Sequence, residues 1–209
     1  MSLKAEVQKF KMWAEVYSLE TRSAEWECAY NGWEGLHSEA ITFLASVSPD
    51  QWCAADVDDL LYAIARDNEV EYLIQQVANS PETFLQLAML SLKSSESDAK
   101  WQFAAQLSNL HKDKTRAEAI LLQLVDDKNE YVTRRALLAL GDLRSDNAEA
   151  QAEKAWNTGL EYQRIAALWV FAKISSTKLD SYIERAIEDG RKYLVENALQ
   201  VRRQPDNVK

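Results

Sequence analysis

The sequence predicts an all-α fold, a right-handed α-α superhelix of stacked helical hairpins, and three observations carry that expectation. Only 5 glycines and 3 prolines punctuate 209 residues, too few for the many turns of a strand-rich chain. Apolar residues recur at helical spacing along most of the chain. A block of sequence also repeats every 31 residues: Ala105, Ala136, Ala167 and Ala198 stand at that interval, as do Tyr131, Tyr162 and Tyr193.

The repetition extends to two helices per unit. Leu137, Leu168 and Leu199 follow the later alanines, and one helix earlier Leu121 aligns with Ala152 and Ile183, Leu124 with Ala155 and Ala186, and Val125 with Trp156 and Ile187. Such a period holds two helices of about three turns and their short connections. A single hairpin cannot bury its own apolar faces. Stacked neighbours cover one another, and small alanines let the helix axes approach closely.

Element by element, the N-terminal third reads as helices in "AEVQKFKMWAEVYSLETRS", "EGLHSEAITFLASV", "AADVDDLLYAIARD" and "EVEYLIQQVA", broken at Asn31-Gly32 and Ser48-Pro49. Hairpins follow at residues 81–92 with 96–109, 113–126 with 129–143, 146–158 with 160–174, and 178–188 with 191–202. Ser80 before Pro81, then Asp113 and Asn129, are the expected N-caps, and Gly159 and Gly190 the expected left-handed residues between helices. The resulting organisation is one continuous domain: an irregular, acidic, Trp-rich cap over 1–79, repeats over 80–203 and a tail at 204–209. Trp13, Trp26, Trp33 and Trp52 are expected to close the end of its core, with a partner pocket as the alternative.

The segment "DKNEYVTRRALLALGDL", Asp127 to Leu143, resembles the short HEAT-repeat pattern through Val132, Ala136, Leu140 and Gly141. That family's arginine after the valine is Thr133 here, with Arg134 and Arg135 displaced, whereas the next unit has Arg164 at the equivalent place. The likeness covers about the last 130 residues. A tetratricopeptide array fits less well, because its period is 34 and its closing proline is missing. The HEAT-like resemblance implies a superhelix whose second helices line the concave side and bind other macromolecules.

Charge narrows the partner. Net charge is −9, and residues 1–100 carry 17 acids against 7 bases, while residues 101–209 carry 16 against 17. Twelve acids, Asp56, Asp58 and Asp59 among them, accompany the single base Arg66 between Arg22 and Lys93. This half repels phosphate backbones and attracts a basic protein, so nucleic acid is not the expected partner. A solvated acidic surface that favours solubility is the plainer alternative.

Catalytic signatures are missing. No glycine-rich phosphate loop, H-E-x-x-H or G-x-S-x-G motif is present, and no cofactor or metal is expected. His37 and His111 stand alone in sequence; Cys28 and Cys53 lack disulfide or zinc spacing and read as two buried thiols in a reducing, cytoplasmic setting. No membrane span or signal-peptide core is evident. One HEAT-like enzyme family remains as an alternative, the alkylated-base DNA glycosylases, because "QWCAADVDDLL" sets Trp52 near Asp56, Asp58 and Asp59. Helix-start carboxylates complementing the dipole are the preferred reading of those acids.

The expected function is therefore non-catalytic binding of another protein, with an immunity-type inhibitor of a basic partner as the sharper form. Arg134, Arg135 and Arg164 are expected to be exposed contacts, since burying an unpaired guanidinium is costly. Gln102, Thr133 and Arg164 form one expected ladder, and Phe103, Arg134, Ile165 and Glu196 a second. Tyr131, Tyr162 and Tyr193 form a third row, expected to pack between repeats with the hydroxyl at the edge.

Overall fold

The structure, a computed structural model, describes residues 2–17, 22 and 25–203, with the backbone alone at His111. Residue 1, residues 18–21 and 23–24 and the tail at 204–209 lie outside the described residues; the first expected helix, read to residue 23, ends at Ala14. Among the described residues there is no strand, and no helix is long and apolar enough to cross a membrane. The chain divides into two compact units at Phe103/Ala104, whereas the sequence marks its change of character at 79/80.

In the first unit, α1 (Leu3–Ala14) packs on α2 (Trp33–Ser46) and α3 (Ala54–Arg66); α2 also packs on α4 (Tyr72–Ala78), and α3 on α5 (Pro81–Ser91). The helix α6 (Ser97–Leu107) begins here and crosses the division. Leu3, Val7, Phe10 and Ala14, one stripe of α1, are buried. Phe10 is the centre of an aromatic cluster, with the rings of Tyr30, Trp13, Trp33, Tyr62 and Trp26 at 4.5 to 6.1 Å. Three of the four N-terminal tryptophans thus close this core as expected. Trp52 does not join them; it lies 6.3 Å from Phe43 and donates its indole N–H to the Val47 carbonyl at 3.1 Å.

The second unit contains α7 (Lys114–Leu124), α8 (Glu130–Asp142), α9 (Ala148–Asn157), α10 (Glu161–Lys173), α11 (Leu179–Asp189) and α12 (Lys192–Arg203). Each odd-numbered helix packs on the next even one, and α10 packs on both α8 and α12. α8, α10 and α12 begin 31 residues apart, and their seventh residues, Ala136, Ala167 and Ala198, are fully buried. Leu121, Ala152 and Ile183 are likewise buried on the first helices. At the last hairpin two aligned positions, Leu199 and Ile187, are exposed.

Ala105 departs from the expected series, being only half-buried. The cause is a slip in register: α6 starts 33 residues before α8, not 31, so its seventh residue is Phe103, which is fully buried. The same slip removes two expected ladder positions from the surface. Gln102 and Phe103 are both 0% exposed, and Gln102 donates to the Ile64 carbonyl at 2.7 Å.

Helix ends repeat as faithfully as helix centres. After α8, Arg144 adopts φ 49°, its N–H bonds the Gly141 carbonyl and the Ser145 N–H bonds the Leu140 carbonyl; after α10, Ser175 at φ 56° and Ser176 do the same to Ala172 and Phe171. Both are Schellman ends without glycine, a feature that residue identity alone conceals. Gly159 and Gly190 adopt φ 77° and 76° as expected. Asn129 caps α8 through N–H bonds from Tyr131 and Val132, but Ser80 and Asp113 make no side-chain cap bond. A Cβ at Gly141 would stand 3.0 Å from the Val170 side chain, so the glycine sets the approach of α10 to α8.

Candidate functional site

The side chains at the starts of α8, α10 and α12 are placed by a repeated bond between helices. Gln163, third residue of α10, donates its amide to the carbonyl and carboxylate of Glu130 at 3.2 and 3.1 Å. One period later, the Leu194 N–H of α12 donates to the Glu161 carboxylate at 3.2 Å. Each link joins the first residue of one helix to the third residue of the next, so the second residues fall in line. Those are Tyr131, Tyr162 and Tyr193.

The tyrosine row is exposed, contrary to the packed arrangement expected: relative exposures are 38, 50 and 52%. The reason is positional, because the second residue of each helix lies beyond the buried stripe that starts at Val132, Gln163 and Leu194. Arg134 lies between two of the rings, its guanidinium 4.8 Å from the centre of Tyr131 and 4.9 Å from that of Tyr162. Its Nε also faces the Glu130 carboxylate at 3.4 Å. Arg135 lies 6.0 Å from the Tyr131 ring, and Lys192 lies 5.6 Å from that of Tyr193. Arg134 and Arg135 are thus half-buried against the rings, not exposed as expected, whereas Lys192 and the three tyrosines are exposed, on a frame fixed by backbone-anchored bonds.

Arg164 does not join them. Its Nε donates to the Trp156 carbonyl at 3.1 Å, its Nη1 bonds Asp189, and its guanidinium stacks over the Trp156 ring at 5.1 Å. Arg191 bonds the same carboxylate at 2.6 and 2.8 Å and reaches the Gly159 carbonyl at 2.9 Å. The two arginines satisfy carbonyls at and beyond the end of α9, where helical acceptors lack partners. The Arg191 hydrogen bond, then its charge and that of Arg164, hold the Asp189 carboxyl at about 2, below the usual 3.8. Thr133, the remaining member of that ladder, donates to the Asp127 and Asn129 carbonyls and is structural too.

Trp52 and the neighbouring acids are occupied separately. Asp56 accepts the Cys53 N–H at 2.9 Å, and this cap keeps its carboxyl below the usual range. Asp59 pairs with Lys11 at 3.6 Å, and Asp58 is exposed. The helix-start reading of Asp56 is the one its geometry carries.

A second site is one that sequence reasoning missed. A cavity of about 170 Å³ in the first unit is lined by Glu27, Cys28, Trp33, His37, Arg66, Asp67, Glu69 and Val70. Glu27 and Asp67 are buried; Asp67 accepts the Leu73 N–H at 2.7 Å and faces His37 Nε2 at 3.4 Å. Arg66 is matched by Glu96 at 3.0 Å, Asp98 at 3.6 Å and Glu27 at 3.8 Å. Burial pushes the Glu27 carboxyl up, against a backbone hydrogen bond and Arg66, which lower it. Neither cysteine is buried as expected: Cys53 precedes α3 and Cys28 lies in the 3₁₀ turn Trp26–Ala29. Desolvation, then the charges of Glu69, Glu25 and Glu27, raise the Cys28 thiol. No signal in the sequence announces this site, because its members come from three separate segments.

Among the described residues, no group of His, Cys, Asp and Glu is arranged to hold a metal ion. Comparison with protein-family models, curated proteins and solved structures finds no match to this chain.

Proposed function

We propose that this chain is a non-catalytic binding protein, a HEAT-like superhelix of stacked hairpins that uses the Tyr131, Arg134, Tyr162 and Tyr193 row as its anchor on another protein. The observation that carries this reading is the exposure of three aligned tyrosines, with Arg134 held between two of them. Tyrosine and arginine dominate the energetics of protein interfaces, and tyrosine buries a large area with little side-chain freedom to lose. The links through Glu130 and Glu161 hold the row before a partner arrives, which lowers the ordering cost of association. Arg135 and Lys192 extend the contact.

The partner is a basic protein. Glu25, Glu34, Asp50, Asp58, Glu69 and Glu82 are all exposed, and the chain carries a net charge of −9. Such a field speeds encounter with a cationic molecule, the behaviour of an immunity-type inhibitor.

The test places a photo-reactive residue at position 162, identifies the adduct formed in extracts of the native cell, and measures its binding to the parent and to Tyr131→Ala/Tyr162→Ala/Tyr193→Ala. A basic protein is expected, bound about a hundredfold more weakly by the triple variant and associating more slowly as salt rises. Equal binding by parent and variant would remove the row from the interface. Retention of the chain on DNA at low salt would instead favour the glycosylase-type reading.

A further inference from the structure

The rings of Trp33, His37 and Tyr72 form a stepped aromatic wall. Trp33 and His37 lie one turn apart on α2, 5.3 Å between centres and tilted by 38°; Tyr72, at the start of α4, follows at 5.0 Å and 41°. The wall's Trp33 and His37 line the cavity of about 170 Å³, and His37 and Tyr72 continue into an open recess with Glu34, Ser38, Ile41 and Thr42. Trp33 is fixed there by donating its indole N–H to the Glu27 carbonyl at 3.1 Å.

The surface facing the cavity is almost entirely carbon. The charged members of the lining keep their polar atoms out of that surface, and acids outnumber bases among them. Arg66 is outnumbered by its own partners Glu27, Glu96 and Asp98, and Asp67 and Glu69 add two further carboxylates. A neutral apolar guest would gain nothing from those carboxylates. An anion would be repelled by them, and a primary ammonium would meet few acceptors for its three N–H groups. An alkylated ammonium suits all three conditions: its methyls meet carbon, its charge faces aromatic rings, and the carboxylates act through space.

From this arrangement we infer that the cavity between α2, the turn Trp26–Ala29 and the α3–α4 connection binds an alkylated ammonium group. A trimethylammonium head is roughly the size of a tert-butyl group, which the cavity accommodates. The assignment is independent of the tyrosine row and stands whether or not that row binds a protein. Two sources carry the same chemistry, a free quaternary amine and a methylated lysine of a basic protein.

The test is an NMR titration of the full chain, following the Trp33 indole N–H resonance, assigned with Trp33→Phe. The probes are choline, its neutral isostere 3,3-dimethylbutanol, and a basic peptide carrying either trimethyl-lysine or unmodified lysine. Saturable shifts are expected with choline and the trimethylated peptide, each about tenfold tighter than its isostere or unmodified form. Glu69→Gln, at an exposed position, is expected to weaken both about threefold. A clear preference for the peptide over choline identifies a protein side chain as the source, and the reverse identifies a free amine. Equal binding of 3,3-dimethylbutanol, equal binding of unmodified lysine, or no saturable shift at millimolar ligand would each overturn the inference.

Discussion

Asp189 shows how one carboxylate can organise a helix boundary. Arg191 and Arg164 converge on it while reaching carbonyls near the end of α9. Because its folded carboxyl titrates at about 2, below the unfolded value, its stabilising contribution is present above about pH 4 and is lost as pH falls through about 2. Asp189→Asn is therefore expected to lower the Tm at neutral pH, and circular-dichroism melts should show the gap from the parent closing with acidification. A gap constant from neutral to strongly acid solution would contradict this role. Arg164 was legible in the sequence only as an exposed cation, because its acidic partner lies 25 residues later and the fold alone brings them together.

At the scale of the element, the connections after α8 and α10 are the sharpest repeated structure. Ser145 donates to Glu118 and accepts the Asn147 N–H at 3.0 Å, while Ser176 donates to Glu149 at 2.6 Å and accepts the Lys178 N–H at 3.2 Å. Each serine thus ties a Schellman end to the first helix of the same hairpin and to the start of the next. Removing either hydroxyl, Ser145→Ala or Ser176→Ala, is expected to cost about 1 kcal/mol in urea unfolding, with similar losses for the two. A loss confined to one would show that the two connections are not energetically equivalent. The boundaries of the last three hairpins, the buried Ala136, Ala167 and Ala198, and the left-handed Gly159 and Gly190 were legible because small and conformationally free residues mark themselves. Arg144 and Ser175 were not, since nothing in an arginine or serine announces a positive φ. Ala105 was misleading because identity of residue persisted where the helix start had slipped by two positions.

For the whole molecule, the all-helical class was legible in composition and period, and the acidic bias of the first hundred residues was plain in the charge count. The candidate sites were legible to different degrees. The tyrosine row could be found as a series, but its exposure follows from each helix starting one residue before the tyrosine and its buried stripe one residue after it, which residue identity does not fix. The cavity in the first unit could not be found at all, since Trp33, Arg66 and Asp67 carry no common spacing. Sequence periodicity reports what recurs, and a site assembled once from dissimilar segments leaves no such trace.

The central claim is that the second unit is built from interchangeable hairpins, each covering the next, and excision of one hairpin tests it most directly. Deleting residues 146–176 removes one period of 31 and joins Ser145 to Thr177, where the next connection has the equivalent bond. Helix content and cooperativity in a urea melt followed by circular dichroism are predicted to survive, with reduced stability because one layer of burial is gone. An unfolded or non-cooperative product from this in-register deletion, equal to that from removing 28 residues at the same place, would contradict the account.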